Sequence, residues 1–293
     1  MENVIFKGVC TALVTPFAGN AVDYPRLEAL VERQIASGVE AVCVCSTTGE
    51  GATLTQQEFL NITARTVRQC KGRMKVLAGT GSNDTAEAVS RSISADAMGV
   101  DGFLVVTPYY NKATEAGVIT HYSAVADAVH CPVVLYNVPS RTGVDISLTA
   151  YAELAKHPRI CGVKEASGDL GKIACLKSVC GEGFHIWSGN DDQIVPMMAV
   201  GADGVVSVLS NLYPAEVCAM ANACIAGNYE AAGKLQCRYA ELIRALFSEV
   251  NPIPIKCAME LIGEGVGVPR LPLTPLCDTA RERLDTILQK LSL

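Results

Sequence analysis

The chain has 293 residues, 49% hydrophobic and 18% charged, which is ample material for a large core and too little charge for a disordered chain. A formal net charge of −6 without any run of lysine or arginine excludes the electrostatic footprint that nucleic acid or an anionic membrane needs, so the expected partner is a small molecule. Residues 1–14 lack a basic segment followed by an apolar leader, and no stretch approaches the roughly 20 apolar residues of a membrane span, which together predict a cytoplasmic protein.

Short β-type runs occupy residues 8–14, 39–45, 75–78, 102–106, 133–136, 160–164, 185–187 and 204–208. Most are continuously apolar rather than alternating, as strands covered on both faces of a parallel sheet are. Between them lie helical stretches with recognisable starts: Asp23 before Pro25, Thr55 with Glu58 three residues on, and Asp84 with Glu87. Leu27, Leu30, Val31 and Ile35, and again Ala86, Val89, Ile93 and Ala97, carry helical spacing. The repeated βα order predicts an α/β protein, a (β/α)8 TIM barrel over residues 1–226, with an open doubly wound sheet as the alternative on pattern alone. Beyond Ala226, Leu235, Tyr239, Leu242 and Leu246, then Leu284, Ile287, Leu288 and Leu291, predict a three-helix C-terminal unit over residues 227–293, broken at Pro252, Pro254 and 269–275.

Thirteen cysteines, an odd number scattered from Cys10 to Cys277, read as reduced, buried, small hydrophobes. There is no C-x-x-C pair, and His121, His130, His157 and His185 fall at no ligand spacing, so no metal site is expected. Gly79-Thr80-Gly81 starts like a dinucleotide fingerprint, but Asp84 stands at the third glycine position. Gly263-Glu264-Gly265 follows a helix and reads as a loop, so no nucleotide cofactor is expected.

In a barrel of this kind chemistry gathers where strands end. Lys164 closes an apolar run and would lose hydration there, as a nucleophilic amine does; the alternative is a lysine clear of the barrel, paired with Glu165. Tyr136 ends the preceding strand and suits proton transfer, given a relay through Thr47 and Tyr110; alternatively its hydroxyl caps the core on a backbone carbonyl. The Thr47-Thr48-Gly49 turn offers amides to a carboxylate or is a plain connector. Arg141 offers a fork to a second carboxylate or is a surface arginine.

In combination, Thr47-Thr48-Gly49-Glu50, the run from Tyr136 to Gly143 (Tyr-Asn-Val-Pro-Ser-Arg-Thr-Gly) and Gly162-Val163-Lys164-Glu165 resemble the dihydrodipicolinate synthase family of pyruvate-dependent class I aldolases, along nearly the whole chain. The resemblance implies a Schiff base between pyruvate and Lys164, with no other cofactor. It makes Tyr136 the proton donor and acceptor, with Thr47 and Tyr110 completing the relay. Thr48, Val206 and Gly189 fall among the substrate contacts. Arg141 would hold the carboxylate of L-aspartate 4-semialdehyde, in a step toward diaminopimelate and lysine. The family's counterpart of Tyr110 crosses from a neighbouring subunit, which implies a homotetramer built as a dimer of dimers. Ala52, Asn83, Glu87 and Tyr109 match a feedback site for lysine, but Gln56 and Phe59 stand where sensitive members have histidines, so weakened inhibition is expected. Ser46 and Gly51 depart from the common glycine and serine and predict a slightly altered turn. The nearest rivals are N-acetylneuraminate lyase and the 2-keto-3-deoxy sugar acid aldolases; a non-catalytic pyruvate or lysine sensor would lack the lysine or the tyrosine.

Overall fold

The computed structural model describes residues 4–291, so the outermost ends of the two expected units, 1–3 and 292–293, lie outside the described residues. The strands are β1 (Gly8–Ala12), a short antiparallel pair β2 (Phe17–Ala18) and β3 (Ala21–Val22), then β4 (Ala41–Val44), β5 (Lys75–Gly79), β6 (Gly102–Val106), β7 (Val133–Asn137), β8 (Ile160–Glu165), β9 (His185–Ser188) and β10 (Gly204–Ser207). All but β2 and β3 form a closed parallel barrel in chain order, with β10 returning to β1. Closure rules out the open doubly wound sheet.

The barrel closes because alternate residues serve two cores. Cys10, Ala12, Cys43, Leu77, Leu104, Val134 and Val206 fill the interior, while Val9, Val42, Val76, Phe103, Val133, Val163 and Val205 face the helices. Both sets are apolar, which is why the strands read as continuous runs, and each fully buried valine or leucine contributes about 1.5–3 kcal/mol. Phe6 stacks on Trp187 at 4.9 Å and plugs the interior beneath the functional end.

The outer ring comprises α1 (Tyr24–Ala36), α2 (Gln56–Cys70), α3 (Thr85–Asp96), α4 (Glu115–Asp127), two shorter helices α5 (Pro139–Thr142) and α6 (Leu148–Leu154), then α7 (Leu170–Cys180), α8 (Ile194–Ala199) and α9 (Pro214–Ile225). Asp23 caps α1 through the Arg26 amide, and Thr55 with Glu58 forms a reciprocal capping box on α2. Asp84 caps α3 through the Ala86 amide, but Glu87 does not reach back, because Arg91 holds its carboxylate at 2.6 Å. Three helices follow the barrel: α10 (Tyr229–Leu246), α11 (Ile253–Leu261) and α12 (Asp278–Leu291).

The cysteine expectation needs correction. All thirteen are free, but Cys175, Cys237 and Cys277 are exposed. Cys175 and Cys237 lie on outward faces of α7 and α10, positions an apolar residue count does not separate from inward ones.

Candidate active site

β7 and β8 pair with Tyr136 opposite Lys164 and Asn137 opposite Glu165. Side chains alternate along a strand, so the first pair faces the barrel interior and the second faces the helices. Lys164 is 4% exposed, and its Nζ lies 4.2 Å from the centroid of the Tyr136 ring, a cation–π contact in a buried setting. Gly189 is needed beside it: a Cβ there would stand 2.6 Å from the Ala166 Cβ and 3.2 Å from the Lys164 Cε.

Glu165 does not pair with Lys164. It accepts from Asn137 Nδ2 at 2.9 Å, the Tyr151 hydroxyl at 3.0 Å and the Ser167 amide at 2.7 Å, with Lys172 Nζ at 3.7 Å. Among the described residues three lysines are buried, and two have carboxylate partners, Lys172 with Asp145 and Lys256 with Glu50. Lys164 has none among the described residues, so its amine is the one left to chemistry. The Tyr136 hydroxyl likewise has no carbonyl partner among the described residues, while the residue's own carbonyl accepts from the Thr107 hydroxyl at 3.0 Å.

Two thiols line the interior below Lys164. Burial pushes the Cys43 thiol up to about 11 and the Cys10 thiol well above the ordinary range, although the Lys164 charge opposes both shifts. They stay protonated near neutral pH and do not compete as nucleophiles. Asp191, 1% exposed, accepts from the Ser207 hydroxyl at 2.5 Å and the Val208 and Leu209 amides at 3.0 and 2.9 Å, which fixes the exit of β10 beside Val206. Burial raises its carboxyl, with those hydrogen bonds and the Lys164 charge opposing.

Across the mouth, residues 46–51 form a turn held at many points. The Thr15 hydroxyl donates to the Gly49 carbonyl at 2.6 Å, and Asn251 Nδ2 donates to the Thr48 hydroxyl at 2.9 Å. Glu50, in the left-handed region at φ 54, accepts from Lys256 Nζ at 2.7 Å and the Arg270 amide at 2.8 Å. A Cβ on Gly51 would stand 2.0 Å from the Cys45 carbonyl oxygen, so this backbone admits only glycine there.

A cavity of about 390 Å³ joins Thr47, Tyr136 and Arg141 to Ala52, Tyr109, Ser82 and Arg91. Arg141 is exposed at its rim, and its Nη2 donates to the Asn251 carbonyl at 3.3 Å. Tyr110 stands apart from this group, 88% exposed and at φ 73. Of the residues matched to a lysine site, Ala52 and Tyr109 line the cavity, the Asn83 carbonyl accepts from Asn111, and Glu87 is engaged by Arg91. The Arg91 guanidinium also lies 5.9 Å above the ring of buried Phe59. Sequence reasoning missed Asn251, Asp191, Lys256 and Arg91; only the Asn-Pro-Ile-Pro run around Asn251 carries a signal, and it reads there as a helix break.

A closed βα barrel with a buried lysine at a strand end, free of ion pairs among the described residues, and a phenol ring that stands against its amine and lines a cavity, has the make-up of a lyase of the class I aldolase type. The chain belongs to the dihydrodipicolinate synthetase family, whose model matches residues 5–291. It is 50% identical over 270 residues, 92% of each chain, to the 4-hydroxy-tetrahydrodipicolinate synthase of Exiguobacterium sibiricum. Its structure is similar to that of dihydrodipicolinate synthase from Aquifex aeolicus, with a TM-score of 0.96, 40% identity and coverage of 98% and 99% of the two chains. The enzyme from Cyanidioschyzon merolae, solved with lysine bound, matches with a TM-score of 0.96, 39% identity and 99% coverage of both. These relatives are synthases, which disfavours the sugar-acid and N-acetylneuraminate lyase alternatives.

Proposed function

We propose that this chain joins pyruvate to L-aspartate 4-semialdehyde through an imine on Lys164, as a 4-hydroxy-tetrahydrodipicolinate synthase supplying diaminopimelate and lysine. The observation that carries the reading is the buried Lys164 amine, free of any carboxylate among the described residues and set against the Tyr136 ring. Lys164 Nζ adds to the ketone carbon of pyruvate and water leaves. The protonated imine draws electrons from the methyl group, which loses a proton to give an enamine. The enamine carbon adds to the aldehyde, and the substrate's own amine then displaces Lys164 as the ring closes. The imine serves as electron sink, so no further cofactor enters this scheme.

In this reading Tyr136 moves the protons, with Thr47 beside it in the cavity. Thr48, Val206 and Gly189 border the pyruvate side, and the Arg141 fork receives the second carboxylate at the rim. Tyr110 serves the site of a second copy of the chain: its ring is exposed and its backbone is held in a conformation that turns it outward. That makes a dimer the smallest complete unit and fits a homotetramer. Lysine inhibits weakly, because Glu87 is already paired with Arg91 and Phe59 offers no hydrogen bond. A cytoplasmic location suits this step, and no helix among the described residues is long and apolar enough to cross a membrane.

Coupling the product to its NADPH-dependent reductase tests the proposal. NADPH loss that requires both substrates, with no cleavage of 2-keto-3-deoxygluconate, is the expected result; sugar-acid cleavage without condensation would overturn it.

A further inference from the structure

Asn251 lies in the segment between α10 and α11, 203 positions from Thr48 in the chain, yet its Nδ2 donates to the Thr48 hydroxyl at 2.9 Å. Its backbone carbonyl accepts from Arg141 Nη2 at 3.3 Å. One residue, 5% exposed and lining the cavity, therefore touches both groups assigned above to carboxylates. It cannot drift freely, because Lys256 in the following helix is bonded to Glu50 of the same turn at 2.7 Å and to the Thr15 carbonyl at 3.0 Å.

The direction of the first bond matters. A hydroxyl that accepts from an amide has its own proton aimed elsewhere, so Thr48 is left as a donor. Asn251 Oδ1 is buried without a hydrogen-bond partner among the described residues. Burying an unpaired amide oxygen is unfavourable, and an apolar side chain of similar size would avoid it. The N–H side of the amide is what the site uses.

We infer that Asn251 is a positioning residue that keeps the Thr48 hydroxyl oriented as a donor to the pyruvate carboxylate and holds Arg141 at a fixed spacing from it for the second carboxylate. The inference rests on the proposed roles of Thr48 and Arg141. It also makes the helical C-terminal segment a working part of the substrate site.

Borohydride trapping of pyruvate, titrated in the full-length protein, tests the pyruvate side; the KM for aspartate semialdehyde tests the other. Asn251→Asp is isosteric but can only accept, so Thr48 must turn its proton toward it, and a negative charge arrives between the two carboxylate sites. The half-saturating pyruvate concentration should rise by about tenfold or more, with the maximum trapped yield retained, and the aldehyde KM should rise as well. Asn251→Ala only frees the hydroxyl to rotate and should raise the pyruvate value by about threefold to tenfold. A purely structural role predicts that both variants lose trapped yield in step with melting temperature, with no shift in half-saturation for the protein that remains folded. Half-saturation unchanged in both variants, or alanine worse than aspartate, would overturn the inference. Failure of the wild-type protein to trap pyruvate would instead overturn the proposed function.

Discussion

The strand ends of β7 and β8 and the turn at residues 46–51 face each other across one cavity, yet they are held in place by different means. Tyr136 and Lys164 owe their positions to barrel register and to a polar layer just behind them, where Asn137, Tyr151 and Ser167 saturate Glu165. The turn has no sheet of its own and is fixed from a distance, by Asn251, Lys256 and Arg270 in the C-terminal segment. On the proposed reading the covalent chemistry thus sits on paired barrel strands, and substrate recognition sits on a loop tied to the C-terminal segment. This division lets carboxylate recognition vary without disturbing the reactive pair.

Substitutions on the two sides should separate in what they damage. Replacing Lys164 with alanine removes the proposed nucleophile and should lower turnover by at least about 10⁴-fold with little change in melting temperature, since the side chain makes a ring contact with Tyr136 but no ion pair among the described residues. Tyr136→Phe should lower kcat by about 10²–10⁴-fold while pyruvate is still trapped; trapping lost together with turnover would move Tyr136 from proton transfer to binding. On the turn side, Lys256→Met leaves Glu50 charged and buried, and should cost about 3–5 kcal/mol of stability in denaturant titration. Adding Glu50→Gln to that variant should recover part of the loss. A Lys256→Met protein as stable as wild type would mean that the turn does not depend on the C-terminal anchor.

The smallest effect concerns acid. Arg270 donates to both carboxylate oxygens of Glu58, at 2.5 and 2.8 Å, and holds the carboxyl at about 2, well below the ordinary 4.5. A carboxyl lowered by folding stabilises the protein above its unfolded value, and that contribution is lost as the pH falls from 4.5 through about 2. The melting-temperature advantage of wild type over Glu58→Gln should therefore hold at pH 6 to 7 and shrink across that acid window. A difference independent of pH would mean that the pair's charge contributes nothing.

Most of the barrel was legible because its strands are covered on both faces, so runs such as 102–106 and 160–164 stand out as apolar blocks within a residue or two of their observed ends. The hairpin of β2 and β3 was not legible, since two-residue strands carry no period. Lys164 and Tyr136 could be picked out because each ends such a block. The grip of Asn251 on Thr48 could not, because it spans 203 positions and depends on how the C-terminal helices dock. The Glu87 carboxylate was misread as a cap partner for the same kind of reason: Arg91, one turn on, competes for it.

The most direct test of the account is to incubate the protein with pyruvate, reduce with borohydride, digest, and locate the added mass. The adduct is expected on the peptide carrying Lys164 alone, and absent from Lys172 and Lys256, whose amines are bound to carboxylates. An adduct on either of those lysines, or none at all, would contradict the claim that the unpaired amine at the end of β8 is the nucleophile.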